Sequence, residues 1–208
     1  MRNAIRHLSA VDPAMQTLIR RVGRCGYAQE KLEPYEALVR AIAHQQLHGA
    51  AARAIVGRFL ALHPGVAFPT PEQALATDDA AMRGCGFSAS KTASIRDIAQ
   101  KSLEGVVPTR RVASRLSDRE LIERLTVIRG VGRWTVEMLL MFNLGRVDIL
   151  PVDDFGVREG YRKLHGLEAQ PKPKELAAIG EMWSPWRSVA SWYLWRAAEA
   201  GRPIQPQA

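Results

Sequence analysis

Cysteine is nearly absent from this chain. The two in 208 residues, Cys25 and Cys85, are too few and too far apart for a structural zinc site or an iron–sulfur cluster. They read as reduced core thiols of an intracellular compartment. No apolar run approaches the length of a membrane span, and the opening MRNAIRHLSAVD lacks the apolar stretch of a signal peptide. The expected setting is therefore cytoplasmic, associated with the nucleoid and away from any membrane. Strand-type alternation is scarce, and neither internal repeats nor low-complexity tracts are evident. Acidic residues are in deficit, 21 against 29 Lys plus Arg, which leaves a formal net charge of +8 and a surface suited to a polyanion. With 47% hydrophobic residues the chain can bury a sizeable core, which excludes the disordered class and predicts one compact unit or two lobes sharing a cleft.

What the chain does have is helical periodicity nearly throughout. Met15, Leu18, Ile19 and Val22 share one face; Leu38, Val39, Ile42 and Ala43 a second; Ile55, Val56, Phe59 and Leu60 a third. Asp12-Pro13, Thr70-Pro71 and Ser117 are expected helix starts. Breaks fall at His63–Pro71, Gly105–Pro108, Gly145–Pro151 and Gln170–Pro173. The expectation is an all-α fold of roughly eight to ten short helices, with the tail from Gly201 frayed.

The most informative stretch is Leu125–Leu140, LTVIRGVGRWTVEMLL. Leu121, Ile122, Leu125 and Ile128 make one helix face, and Val136, Leu139 and Leu140 resume the period. Gly130-Val131-Gly132 is thus the turn of a helical hairpin. Glycines there permit positive φ and close approach by another chain, and the N–H groups opening the next helix point at an anion. Arg129 and Arg133 add positive charge on either side. The pattern predicts a phosphate clamp.

Downstream, Pro151-Val-Asp153-Asp154-Phe-Gly-Val-Arg158 carries two adjacent carboxylates into a helical segment. One Asp is suited to capping that helix while the other stays available to the sugar of a bound strand. Near the C-terminus stand Trp183, Trp186, Trp192, Tyr193 and Trp195, with Trp134 opening the helix after the glycine turn. Any one indole is most simply a core residue, but the group looks too large for one core, and indole walls suit a flat, positively charged ring.

Taken together, the hairpin LTVIRGVGRWTVEMLL, the segment LPVDDFGVREGYRKL and the segment WSPWRSVASWYLWR resemble the helix-hairpin-helix (HhH-GPD) superfamily of DNA base-excision glycosylases, in its AlkA-like 3-methyladenine DNA glycosylase II branch. IAHQQLHGAAA at Ile42–Ala52 and GFSASKTASIRDIA at Gly86–Ala99 extend the likeness, which runs from about Asp12 to Trp195. The resemblance implies two helical lobes flanking an active-site cleft. Residues 36–146 would form a central lobe ending in the hairpin; residues 1–35 plus 147–208 would form the lobe carrying the Asp and the Trp cluster. Larger relatives carry an N-terminal β domain that is not expected here.

The resemblance also implies roles. Asp154 matches the catalytic carboxylate by the pattern Asp154-Phe155-Gly156-Val157-Arg158, with Asp153 supporting or capping and the reverse assignment left open. Trp134 and Trp195 match base-pocket tryptophans, and Met138 stands where close relatives have a tyrosine. Gly130, Gly132 and Arg133 would hold a DNA phosphate. Gln46 and Leu47, in the turn Gln45-Gln46-Leu47, would be the wedge that fills the space left by a flipped base. The backbone carbonyls of Thr126, Ile128 and Val131 are the family's positions for a structural Na or K ion; no cofactor is otherwise required.

The function so implied is DNA repair: a monomeric, monofunctional enzyme acting on double-stranded DNA, flipping an alkylated purine of the 3-methyladenine type and hydrolysing its N-glycosidic bond to leave an abasic site. Bifunctional relatives have a lysine nucleophile where this chain has Trp134, so a Schiff-base lyase step is not expected. The alternatives are an oxidised-base glycosylase of the same superfamily and a non-catalytic module that binds bent or branched DNA.

Overall fold

A computed structural model describes residues 1–199; the tail from Gly201 lies outside them. Among the described residues there are thirteen α-helices, one π turn and one 3-10 turn, and no strand. The all-α expectation stands, while the count of eight to ten helices is too low. Five helices, α5 (Pro71–Ala76), α6 (Asp79–Cys85), α8 (Arg110–Ala113), α10 (Arg133–Met138) and α12 (Pro173–Ile179), have only four to seven residues. Segments that short complete two turns at most and cannot show a repeating apolar face.

The chain divides into two compact units, one made of Met1–Gln29 with the part from Gly145 onward, the other of Glu30–Leu144. Residues 30–35 therefore belong with the central unit, not with the terminal lobe as expected from the sequence. Backbone and side-chain bonds bind them there: the Glu30 N–H donates to Phe142 O at 2.7 Å, and Asn143 Nδ2 and Arg110 Nη1 both donate to Leu32 O.

The central unit contains α3 (Pro34–His44), α4 (Gly49–Ala61), α5, α6, α7 (Ala89–Leu103), α8, α9 (Asp118–Leu125) and α10, which runs into a π turn at Leu139–Asn143. Apolar faces at helical spacing, Leu38, Val39 and Ile42 of α3, Ile55, Val56 and Phe59 of α4 and Ile95, Ile98 and Ala99 of α7, are buried. Phe59 meets Phe68 and Phe87 edge to face. Caps fix the helix starts: Thr70 and Ser117 form capping boxes with Gln73 and Glu120, and Asp78 and Ser88 cap α6 and α7.

The terminal unit holds α1 (Arg2–Val11), α2 (Pro13–Val22), α11 (Phe155–His165), α12 and α13 (Arg187–Glu199). Asp12 joins its elements. One oxygen caps α2 through the Met15 N–H at 2.9 Å, and the other accepts from the Nε1 of buried Trp183 at 3.0 Å. Helices α11 and α13 pack so closely that a Cβ on Gly160 would lie 1.9 Å from the carbonyl oxygen of Leu194. Only glycine fits. This close crossing brings the start of α11 beside Trp195.

Candidate active site

In the terminal unit the useful side chain is Asp154. It is the N-cap of α11: extended at φ −68° and ψ 122°, it accepts the Val157 N–H through Oδ1 at 2.7 Å. The same oxygen accepts the Nε1–H of Trp195 at 2.8 Å. Capping is thus done by Asp154 itself, which corrects its expected assignment to Asp153. The physical reason is register, since α11 begins at Phe155 and only the residue immediately before it can reach the N3 amide. Asp153 is exposed and Asp154 half-buried, so the carboxylate held in a fixed direction is also reachable from solvent.

Gly156 explains why Trp195 can lie there. A Cβ at that position would come within 2.7 Å of Trp195 Cδ1 and 3.1 Å of its Nε1. The remaining tryptophans of the C-terminal group separate from this pair. Trp183 and Trp192 are buried in the core of the unit, and Trp186 and Trp195 pack against the same cluster. The expectation that these indoles are too many for one core is corrected: a core drawing on α1, α2, α11, α12 and α13 has room for them. Behind them Asp148 receives Arg187 through both oxygens, at 2.8 and 2.9 Å, and Ser184 Oγ at 2.9 Å. Burial alone would raise its pKa, but the bonds from Arg187 and Ser184 outweigh that and hold the carboxyl below its ordinary value.

In the central unit the hairpin turn has two different glycines. Gly130 has φ +76°, and a Cβ there would lie 2.5 Å from Ser94 Oγ, so both conformation and packing demand glycine. Gly132, the N-cap of α10, has φ −87°, and a Cβ there would meet nothing within 4 Å. Nothing in the fold requires glycine at 132, whereas a close external partner would. Ile128 and Val131 are buried, with the Val131 N–H donating to Ile128 O at 3.1 Å, and Thr126 is the C-cap of α9. Arg133 is exposed, and its Nε donates to Glu137 at 2.8 Å, a carboxylate 3% exposed overall. Trp134 is 44% exposed and Met138 half-buried at the end of α10.

The Gln45-Gln46-Leu47 turn closes α3. Gln46 stands alone among the described non-glycine residues with positive φ, at +58°, and Leu47 is 40% exposed. Sequence reasoning missed what holds these turns. Gln45 Nε2 donates to Gly130 O at 3.1 Å, Lys91 Nζ donates to both Ala43 O and Gln45 O at 2.8 Å, and Asp97 accepts the Arg129 N–H at 2.7 Å. Glu137 was also missed, although its spacing of four from Arg133 is the usual signal of a helical ion pair. Among the described residues no group of three His, Cys, Asp or Glu side chains could hold a metal ion, and no helix is long and apolar enough to cross a membrane.

Comparison with known proteins places this geometry. Residues 39–185 match the model of the HhH-GPD superfamily base excision DNA repair proteins. DNA-3-methyladenine glycosylase 1 of Schizosaccharomyces pombe is 47% identical over 97% of this chain and 90% of its own. The structure of the same yeast's 3-methyladenine DNA glycosylase (Mag1) with abasic DNA superposes with a TM-score of 0.87 at 45% identity, covering 98% of this chain and 100% of that one. DNA-3-methyladenine glycosidase of Bacillus halodurans gives 0.84 at 34% identity, over 95% and 90%. Solved 8-oxoguanine glycosylase/lyase structures from Clostridium acetobutylicum share the fold at 18% identity. A family match over most of the chain, joined to near full-length likeness at 47% identity, leaves one assignment: this chain belongs to the HhH-GPD superfamily of base excision DNA repair proteins.

Proposed function

We propose that this protein is a monofunctional DNA glycosylase that removes alkylated purines of the 3-methyladenine type from double-stranded DNA. The observation that carries the reading is a half-exposed carboxylate, Asp154, fixed by the Val157 N–H and the Trp195 indole in a chain 47% identical to a 3-methyladenine DNA glycosylase.

A base stacked in a duplex cannot be reached, so the nucleotide is rotated out, at a cost of a few kcal/mol that damage lowers. The amides of Gly130 and Gly132 and the Arg133 guanidinium grip a backbone phosphate, setting register without reading sequence. Gln46 and Leu47, exposed on a turn held at Ala43 and Gln45, enter the space left behind. Should a Na or K ion sit at the hairpin, the carbonyls of Thr126, Ile128 and Val131 are its ligands.

A purine alkylated at N3 or N7 is cationic and leaves without protonation. In the terminal unit Trp195, and in the central unit the exposed Trp134 with Met138 on the same helix, are each electron-rich indoles suited to such a ring. As the glycosidic bond lengthens, positive charge develops on the sugar, and Asp154 stabilises it and orients the attacking water. The bond from Trp195 links the two roles, because the indole that packs on α11 also fixes the carboxylate. With tryptophan at 134 there is no amine at that position to form a Schiff base, so the abasic strand stays uncut. The protein acts as a monomer.

The direct test is to incubate the purified protein with DNA treated with a methylating agent and identify the released bases by chromatography. Release of 3-methyladenine without strand cleavage is expected. Tight binding with no base released would overturn the enzymatic reading, and incision of an 8-oxoguanine duplex without heat or alkali would replace it.

A further inference from the structure

Helix α7 presents three polar residues three apart, Lys91, Ser94 and Asp97, and each meets a different part of the DNA-facing machinery of the central unit. Lys91 holds the turn after α3 through Ala43 O and Gln45 O, both at 2.8 Å. Ser94 packs against Gly130, its Oγ 2.5 Å from where a Cβ on that glycine would be. Asp97 Oδ2 accepts the Arg129 N–H at 2.7 Å. Gln45 closes the frame by donating to Gly130 O at 3.1 Å. At a rise of 1.5 Å per residue, Lys91 and Asp97 stand about 9 Å apart along one rigid helix.

Lys91 is costly where it stands. It lies in the first turn of α7, its own N–H bonded to the Ser88 cap, where the helix dipole disfavours a cation. The residue is half-buried, and its ammonium donates to two neutral carbonyls. Burial lowers its pKa accordingly. The compensation is at the other end of the bonds, where the ammonium satisfies carbonyls at the C-terminus of α3 and fixes a turn whose next residue, Gln46, is in the left-handed region at φ +58°. A plain helix stop would place glycine there.

We infer that Lys91 and Gln45 are positioning residues for base flipping: with α7 as a ruler, they hold the Gln46–Leu47 wedge at a set distance from the phosphate-gripping hairpin. The wedge displaces a base only if its turn does not yield when pushed against the stack, and the spacing matters only while the hairpin is anchored on the strand. The inference rests on the glycosylase reading above.

The test compares Lys91→Met and Gln45→Leu with the wild-type chain under single-turnover conditions at saturating enzyme, so that lost affinity does not enter. One duplex carries 7-methylguanine opposite cytosine, the other the same lesion opposite an abasic-site analogue, which needs no unpairing; 2-aminopurine beside the lesion reports unstacking. Each variant is expected to lower excision from the paired duplex about tenfold and from the unpaired one no more than about twofold, with a matching loss of the 2-aminopurine signal. Lys91→Arg, which keeps donors for both carbonyls, should recover most of the paired-duplex rate. Equal losses on both duplexes, or unchanged rates on both, overturn the inference. If the wild-type chain unstacks 2-aminopurine but releases no base, the excision reading fails; the ruler then stands if the variants abolish the unstacking and falls if they do not. Should Lys91→Met fail to fold by thermal melting, Gln45→Leu, a half-buried turn residue, carries the comparison.

Discussion

Replacing Asp154 by Asn isolates charge from structure. Asp154 Oδ1 accepts from Val157 N–H and from Trp195 Nε1, and an asparagine carbonyl oxygen accepts both in the same geometry. The cap and the indole contact survive. What disappears is the negative charge that the proposed reaction sets against the sugar. Two unit charges about 4 Å apart at an effective dielectric of about 20 attract by about 4 kcal/mol. The charge on the transition-state sugar is partial and Asp154 is half-exposed, so about 3 kcal/mol remains, which is about two orders of magnitude in rate. Single-turnover excision of 7-methylguanine should therefore fall about a hundredfold in Asp154→Asn, with DNA affinity and melting temperature nearly unchanged. Asp154→Ala, by contrast, should also lose about 1 kcal/mol of stability with the cap. An Asp154→Asn protein that excises at the wild-type rate would refute the assignment. Equal loss of stability in the Asn and Ala variants would refute the structural reasoning behind it.

Gly160→Ala should destabilise the protein by about 3 kcal/mol or more, since a Cβ 1.9 Å from Leu194 O forces α11 and α13 apart, and urea denaturation would measure it. Trp134→Ala, at a 44% exposed position, should change stability by less than about 1 kcal/mol yet slow release of cationic 7-methylguanine more than release of neutral hypoxanthine; an equal effect on both bases would remove the charge-stacking role. For Asp148, whose folded-state pKa is depressed by Arg187 and Ser184, the stabilisation is present above the ordinary value of 3.8 and is lost as pH falls through the lower folded value. Asp148→Asn should flatten the fall in melting temperature below about pH 4, and an unaltered acid limb would show that the pair does not couple to folding.

Much of this molecule was legible in one dimension because the signals are local. Helical periodicity, the caps at Asp12, Thr70 and Ser117, and the Gly-Val-Gly turn depend on residues three or four apart, and backbone geometry enforces them wherever the segment sits. A carboxylate at the mouth of α11 was legible for the same reason, but local pattern did not say which of Asp153 and Asp154 caps it; the structure gives the cap to Asp154. Short helices such as α6, α8 and α12 were not separated from their neighbours in the expected count, because four to seven residues carry less than a full apolar repeat.

Which indole is core and which lies on Asp154 was decided only by the tertiary structure. Trp183, Trp192 and Trp195 sit in one short stretch of sequence, yet the fold buries the first two in the core of the terminal unit, while Gly156 leaves room for the third to lie on Asp154 Oδ1. The same holds for Lys91 and Gln45, whose partners at Ala43 and Gly130 lie 48 and 85 positions away. Local sequence sets the dihedral angles of the backbone, but contacts across such distances exist only after chain entropy has been lost to folding, and no short-range pattern encodes them.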